Sequence, residues 1–173
     1  MRKVTVLFLV IGLLLSAAGC SVSVPEEKVF SVDDYQLQIT ADSTYREATG
    51  GSFDLQITNN KTYISIMAYK YMDLPTDVTP QKVFDMQNEE LFSKREAVKR
   101  IEEAKTQKTE QYTITQALYS AEKDGAKNYY ATYLIDFADA ETFAWILVTA
   151  APSYLTANRD YLHNIVCSLT VTQ

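Results

Sequence analysis

Thr142-Phe143-Ala144-Trp145-Ile146-Leu147-Val148-Thr149-Ala150 is the stretch that decides how this 173-residue chain folds. In a strand, alternation puts Phe143, Trp145 and Leu147 on one face and Ala144, Ile146 and Val148 on the other. Both faces are apolar, so the strand must be central in a sheet with helices covering both sides. Working upstream, Tyr129 to Phe137 and Tyr112 to Ala121 read as two further strands, joined by turns at Asp139-Ala140-Glu141 and Asp124-Gly125. Working downstream, Pro152 and Ser153 punctuate the chain. A final helix is expected from about Leu155 to Leu169, with Leu155, Leu162, Ile165 and Leu169 on its core stripe.

The first half shows the same order of elements. Tyr35, Leu37 and Ile39 alternate with Gln36, Gln38 and Thr40, and Phe53, Leu55 and Ile57 alternate with Asp54, Gln56 and Thr58. Gly50-Gly51 marks the turn between them. Asn59-Asn60 reads as a tight hairpin connection, because Asn tolerates the positive φ required there, and Ile64, Ile66 and Ala68 continue the sheet. The period then changes. Thr79 followed by Pro80 is a helix start with a capping hydroxyl. Val83, Phe84, Leu91, Phe92, Val98 and Ile101 recur at helical spacing, which predicts one helix from Pro80 to about Ala104 with a possible break near Arg95, followed by a polar loop from Thr106 to Gln111. The expectation is an α+β domain over residues 35–173. It has an antiparallel six-stranded sheet flanked by helices, an α/β/α sandwich in the order βββα-βββα.

The N-terminus has a different logic. Met1, Arg2 and Lys3 supply a short positive start, Val4 to Leu15 an apolar run, and Ser16-Ala17-Ala18-Gly19-Cys20 a small-residue cleavage site. The run is too short to span a bilayer, so residues 1–19 read as a secretory signal. The site resembles the lipobox of bacterial lipoproteins, with Ala17 where that motif more often has Leu. The resemblance implies cleavage before Cys20 and acylation of Cys20, with palmitate among the acyl chains. Ser21 to Asp34 reads as a tether spanning on the order of 20 Å, so residues 20–34 hold the domain close to the membrane. Ser21 gives no acidic retention signal, which leaves both membranes open; the outer leaflet of the cytoplasmic membrane is expected ahead of the outer membrane.

Composition narrows the function classes. Loss of Arg2 and Lys3 with the signal leaves 14 basic against 22 acidic residues, a net charge of −8. Such a chain lacks the clustered positive charge that binds nucleic acid, and it cannot adhere to anionic lipid electrostatically. The acyl chains must do the anchoring. Cys167 is the single cysteine left once Cys20 is modified, so no intramolecular disulfide can form. Twelve tyrosines against one tryptophan suit sheet faces that are half exposed.

From about residue 34 to 171 the chain resembles the PsbP-like α/β/α sandwich family. The likeness rests on Tyr35-Gln36-Leu37-Gln38-Ile39 opening the sheet, the Thr79-Pro80 helix start, the strand Thr142 to Thr149, and the closing Tyr161-Leu162-His163-Asn164-Ile165-Val166-Cys167-Ser168-Leu169. The resemblance implies a non-enzymatic accessory or binding role and carries over no functional residue.

Candidate chemistry is sparse. His163 and Cys167 stand i, i+4 on the final helix, a spacing that suits two soft metal ligands or a Cys–His nucleophile. A zinc site wants three or four ligands, and the chain has no other His or free Cys. Both residues are therefore read as boundary packing. Lys94, Arg95, Lys99, Arg100, Lys105 and Lys108 form a basic run, read as a solvated face with Glu90–Lys94 and Glu96–Arg100 as i, i+4 pairs. Asp33-Asp34, Glu89-Glu90 and Glu102-Glu103 are sequence neighbours whose side chains diverge. Glu122-Lys123-Asp124-Gly125 is too short for a calcium loop, and no phosphate-cradling or nucleophile-elbow motif occurs. Tyr129, Tyr133 and Phe137 share a strand face, with Tyr63 and Tyr69 expected on the same side; an aromatic cleft there could hold a sugar or peptide, but the set is read mainly as packing.

No catalytic, cofactor or metal site is assigned, and the chain is not read as an enzyme. The first expectation is a lipid-anchored, non-catalytic interaction module of the cell envelope with an unidentified envelope protein as partner. The alternative is a small-ligand-binding protein or hydrolase using a pocket between the sheet and the long helix. Changing Cys20→Ala should abolish incorporation of an alkynyl palmitate analogue and release the domain from the membrane fraction. Unchanged labelling would contradict the assignment of Cys20.

Overall fold

The computed structural model describes residues 26–137 and 139–172, so the signal segment and Cys20 lie outside the described residues. The stretch 142–150 forms a strand over the expected residues and takes the expected central place. The strands are β1 (Glu27–Val32), β2 (Leu37–Asp42), β3 (Arg46–Glu47), β4 (Leu55–Thr58), β5 (Thr62–Lys70), β6 (Glu96–Lys108), β7 (Tyr112–Lys123), β8 (Ala126–Phe137), β9 (Thr142–Ala150) and β10 (Thr170–Val171). The helices are α1 (Pro80–Ser93), α2 (Pro152–Ala157) and α3 (Arg159–Cys167). Seven strands form one antiparallel sheet in the order β3-β4-β5-β9-β8-β7-β6, and a small sheet has the order β1-β2-β10.

β9 is fourth of seven. Ile146 lies opposite Ile66 on β5 and opposite Tyr133 on β8, and it is fully buried. On one face Phe143, Trp145 and Leu147 pack with Tyr130 and Leu134 beneath Val83 and Phe84 of α1. On the other, Ala144, Ile146 and Val148 join Leu155 of α2, Leu162, Ile165 and Val166 of α3, and Leu37 and Ile39 of the small sheet. The molecule is therefore layered as α1, large sheet, then α2 and α3 with the small sheet.

The local signals act as elementary chemistry requires. Thr79 Oγ1 accepts the Lys82 amide at 3.2 Å, capping α1 behind Pro80. Asp124 and Gly125 both have positive φ (54° and 75°), the geometry of a tight hairpin whose twist matches its strands. Asn60 (φ 68°) turns β4 into β5, and the Asn59 side-chain oxygen accepts the amides of Lys61 and Thr62.

Four expectations are corrected. The large sheet has seven strands, not six, and β2, the strand expected to open it, lies in the small sheet. Residues 27–32 of the expected tether are a strand, β1, paired with β2 from Glu27↔Asp42 to Val32↔Leu37. The long helix ends at Ser93, and the segment expected to complete it is the 13-residue strand β6. Val98 and Ile101, whose spacing suggested a longer helix, are 41% and 45% exposed, so no core held that register. The free edge of β7 captures the segment instead, and Thr109 closes the hairpin through bonds to the Tyr112 amide and carbonyl. The final helix is two helices, which meet at Asn158, where φ departs from helical geometry to −119° and Nδ2 bonds the Tyr154 carbonyl at 2.9 Å. Its expected core stripe is nonetheless buried.

This architecture makes β9 the most costly place to lose volume. Ile146→Ala should destabilise the domain by about 2–5 kcal/mol in urea unfolding, whereas Val98→Ala on exposed β6 should cost less than about 0.5 kcal/mol. Equal losses would contradict the central role of β9.

Candidate functional site

Three places in this frame merit chemical scrutiny. They are the His163–Cys167 pair, the outer edge of the large sheet at β6, and the cleft beneath the C-terminal end of α1.

The helix brings Cys167 Sγ within 3.4 Å of His163 Nε2, as the i, i+4 spacing requires. The surroundings do not activate it. Burial raises the thiol pKa and outweighs the opposing influence of the Tyr112 hydroxyl, so the reactive thiolate is disfavoured. The His163 ring lies 6.0 Å from that of Tyr133, whose hydroxyl pKa burial pushes up to about 12. Among the described residues, no group of three or more His, Cys, Asp or Glu side chains is placed to hold a metal. The pair packs between α3 and the sheet.

The basic run is dispersed by the change from helix to strand. Lys94 ends α1 with its Nζ 2.9 Å from Glu90. Arg95 turns inward, its guanidinium 4.8 Å from the Tyr130 ring centroid. Lys99, Arg100, Lys105 and Lys108 fall on β6. The expected Glu96–Arg100 pair does not form. Arg100 instead donates to Tyr119 Oη at 2.7 Å and to Glu103 at 2.9 Å. Glu102 accepts two bonds from Arg159 of α3, at 2.5 and 2.6 Å, clamping the edge strand to the opposite layer from Arg100. The neighbouring carboxylates Glu102 and Glu103 thus serve different partners, as divergence predicts.

β6 is the outermost strand and pairs only with β7. Register shifts interrupt that pairing three times, and Ala97 has a positive φ of 49°. Such bulges and charges keep an edge from pairing indiscriminately. Exposed Val98 and Ile101 stand on the same strand, and Lys99 and Lys108 have no ion-pair partner among the described residues.

The tyrosines divide between the faces. Tyr129 lies opposite Ala150 and Tyr133 opposite Ile146, on the α2/α3 face with Phe137. Tyr63 and Tyr69 lie opposite Thr149 and Phe143, on the α1 face, which corrects the expectation of one shared side. Tyr69 stacks on Phe143 at 5.1 Å. No single aromatic cleft results.

The most enclosed cavity lies between β6–β9 and α2/α3, beside Glu102, Tyr133 and Arg159, and holds about 20 Å³, little more than one water. A larger cleft of about 330 Å³ opens between the end of α1 and the sheet. Phe53, Met67, Leu91 and Trp145 give it apolar walls, and Gln87, Glu90, Lys94 and Arg95 its polar ones. The Trp145 indole N–H is buried without a hydrogen-bond partner, as are the Arg95 Nε–H and the Asn88 Oδ1. Sequence reading placed a pocket between the sheet and the long helix as its alternative, but it assigned Trp145 to the core and named none of the residues that line the cleft. The usable signal was a lone tryptophan in an apolar strand, and in the fold it faces Met67 and Leu134, which offer its N–H no oxygen acceptor.

No family profile matches the chain, and no curated protein matches it in sequence. Solved structures do resemble it in fold. The cyanobacterial PsbP (CyanoP) of Synechocystis superposes with a TM-score of 0.63 at 10% identity, over 91% of this chain and 98% of that one. The fold is PsbP-like. LpqN, described as involved in cell envelope biogenesis of Mycobacterium tuberculosis, gives 0.59 at 16% identity, over 86% and 91% of the two chains. The Ran-binding protein Mog1p of Saccharomyces cerevisiae gives 0.56 at 11% identity, over 87% and 97%. Among the described residues, no helix is long and apolar enough to cross a membrane.

Two outcomes follow from this geometry. Native Cys167 should alkylate at least about tenfold more slowly at pH 7.5 than the same thiol in urea, and a rate matching the unfolded thiol would restore the nucleophile reading. The Glu102 pKa is lowered, chiefly by its bonds from Arg159. A depressed carboxylate pKa stabilises the fold above the unfolded value and loses that contribution as pH falls through the folded one. Glu102→Gln should therefore cost less than about 1 kcal/mol at pH 7, because the pair is partly exposed, and the difference should vanish in acid below the folded pKa.

Proposed function

We propose that this chain is a non-catalytic accessory module of the bacterial cell envelope, docking a protein partner along the outer edge of β6. Acyl chains on Cys20 hold it at the extracytoplasmic face of the membrane. One observation carries the docking reading: a 13-residue edge strand, nearly all of it exposed, with unpaired lysines beside exposed Val98 and Ile101. A strand edge offers a row of backbone donors and acceptors that an extended segment of another chain can complete, and its side chains select the partner. The clamps of Arg100 to Tyr119 and of Arg159 to Glu102 hold that edge in place without consuming it.

Three further facts support the setting. The fold is shared with LpqN, a protein described as involved in cell envelope biogenesis. The net charge disfavours nucleic acid and anionic lipid surfaces as alternatives. β1 begins at Glu27, seven residues after Cys20, which leaves a short link to the bilayer and restricts partners to those near its surface.

The test is photo-crosslinking in cells, with a benzophenone amino acid at Val98 or Ile101 on β6 and at Lys61 or Asp124 in hairpin turns. A discrete adduct to one envelope protein from both β6 positions and from neither turn is expected. No adduct, or equal adducts from all four positions, would contradict docking at this edge.

A further inference from the structure

The cleft under α1 goes beyond that reading, because its polar groups are left incomplete in a way that specifies a ligand. We propose that it binds a small molecule composed of an apolar body and one carboxylate.

The argument begins with Trp145. It is 2% exposed, it walls the cleft, and its indole N–H has no acceptor. An indole nitrogen can only donate, so any group that completes it must be an acceptor. Leaving such a donor buried and unpaired costs about 1–3 kcal/mol, a penalty that a bound acceptor removes.

Arg95 supplies the second requirement. One guanidinium nitrogen, Nη1, donates to the Leu91 carbonyl, and the ring of Tyr130 lies against the group, yet Nε–H is buried and unpartnered. Lys94 alongside is already neutralised by Glu90. Arg95 is thus the cation of the cleft that no carboxylate engages among the described residues, in a chain with an excess of carboxylates. Two donors, one of them charged, ask for an acceptor-only anionic group with two oxygens, which is a carboxylate.

The walls decide the rest of the molecule. Phe53, Met67 and Leu91 form an apolar surround, and a volume of about 330 Å³ is at the small end of ligand pockets. A phosphate dianion would find too few donors here, and a cation would meet Arg95 and Lys94.

Trp145 is the only tryptophan in the chain, so its fluorescence reports directly on the cleft. The full chain in dodecyl maltoside, titrated with phenylacetate and with phenylacetamide, is the test. A saturable change in emission is expected, with phenylacetate bound at least about tenfold more tightly, roughly the worth of one charge-assisted bond. Arg95→Gln should lose that preference, Arg95→Lys should keep most of it, and Leu91→Phe should block both compounds by filling the cleft. Circular dichroism confirms that each variant is folded, and if Arg95→Gln is not, the acid–amide comparison in the unchanged chain and the block by Leu91→Phe decide the matter. Absence of a saturable change, equal affinity for acid and amide, or wild-type selectivity in Arg95→Gln would each overturn the proposal.

Discussion

Burial of β9 on both faces is the constraint on which the rest of the structure depends. Phe143, Trp145 and Leu147 demand a cover on one side, and Ala144, Ile146 and Val148 demand another on the other. Each buried aliphatic or aromatic side chain contributes roughly 1.5–3 kcal/mol relative to exposure, so neither face can be left wet. α1 answers the first demand. α2, α3 and the small sheet answer the second, and the strands between β9 and each edge inherit their polarity from that division. With no disulfide available to the domain after Cys20, this packing is what resists unfolding.

Much of this was legible in the sequence because it is encoded locally. The span of β9, the Thr79-Pro80 cap, the Asp124-Gly125 and Asn59-Asn60 turns and the buried stripe of the last helices follow from two periodicities and a few special residues. What was not legible depends on pairing. Glu96–Lys108 contains good helix formers and becomes a strand because β7 has an unpaired edge. β1 and β10 are short segments without a strong period, and they are recruited by opposite edges of β2. The split at Asn158 is a single-residue departure from helical φ that no periodicity marks. A pocket between sheet and long helix was an expected alternative, but its lining was not legible for a similar reason: its content is the absence of partners around Trp145 and Arg95, which only the assembled fold determines.

The two surfaces singled out differ in physical character. The β6 edge is long, exposed and held at both faces by arginine contacts, which suits a macromolecular partner. The cleft under α1 is small, apolar and incomplete in its hydrogen bonding, which suits a small ligand. They meet at the same chain segment, since Arg95 ends the helix and Glu96 begins the edge strand.

The docking claim is tested most directly by hydrogen exchange on the chain in its native membrane and after purification. Amides of β8 and β9 should exchange slowly in both states. Those of β6 from Glu96 to Lys108 should exchange readily in the purified chain and be selectively protected in the membrane. Identical exchange of β6 in the two states would contradict the account.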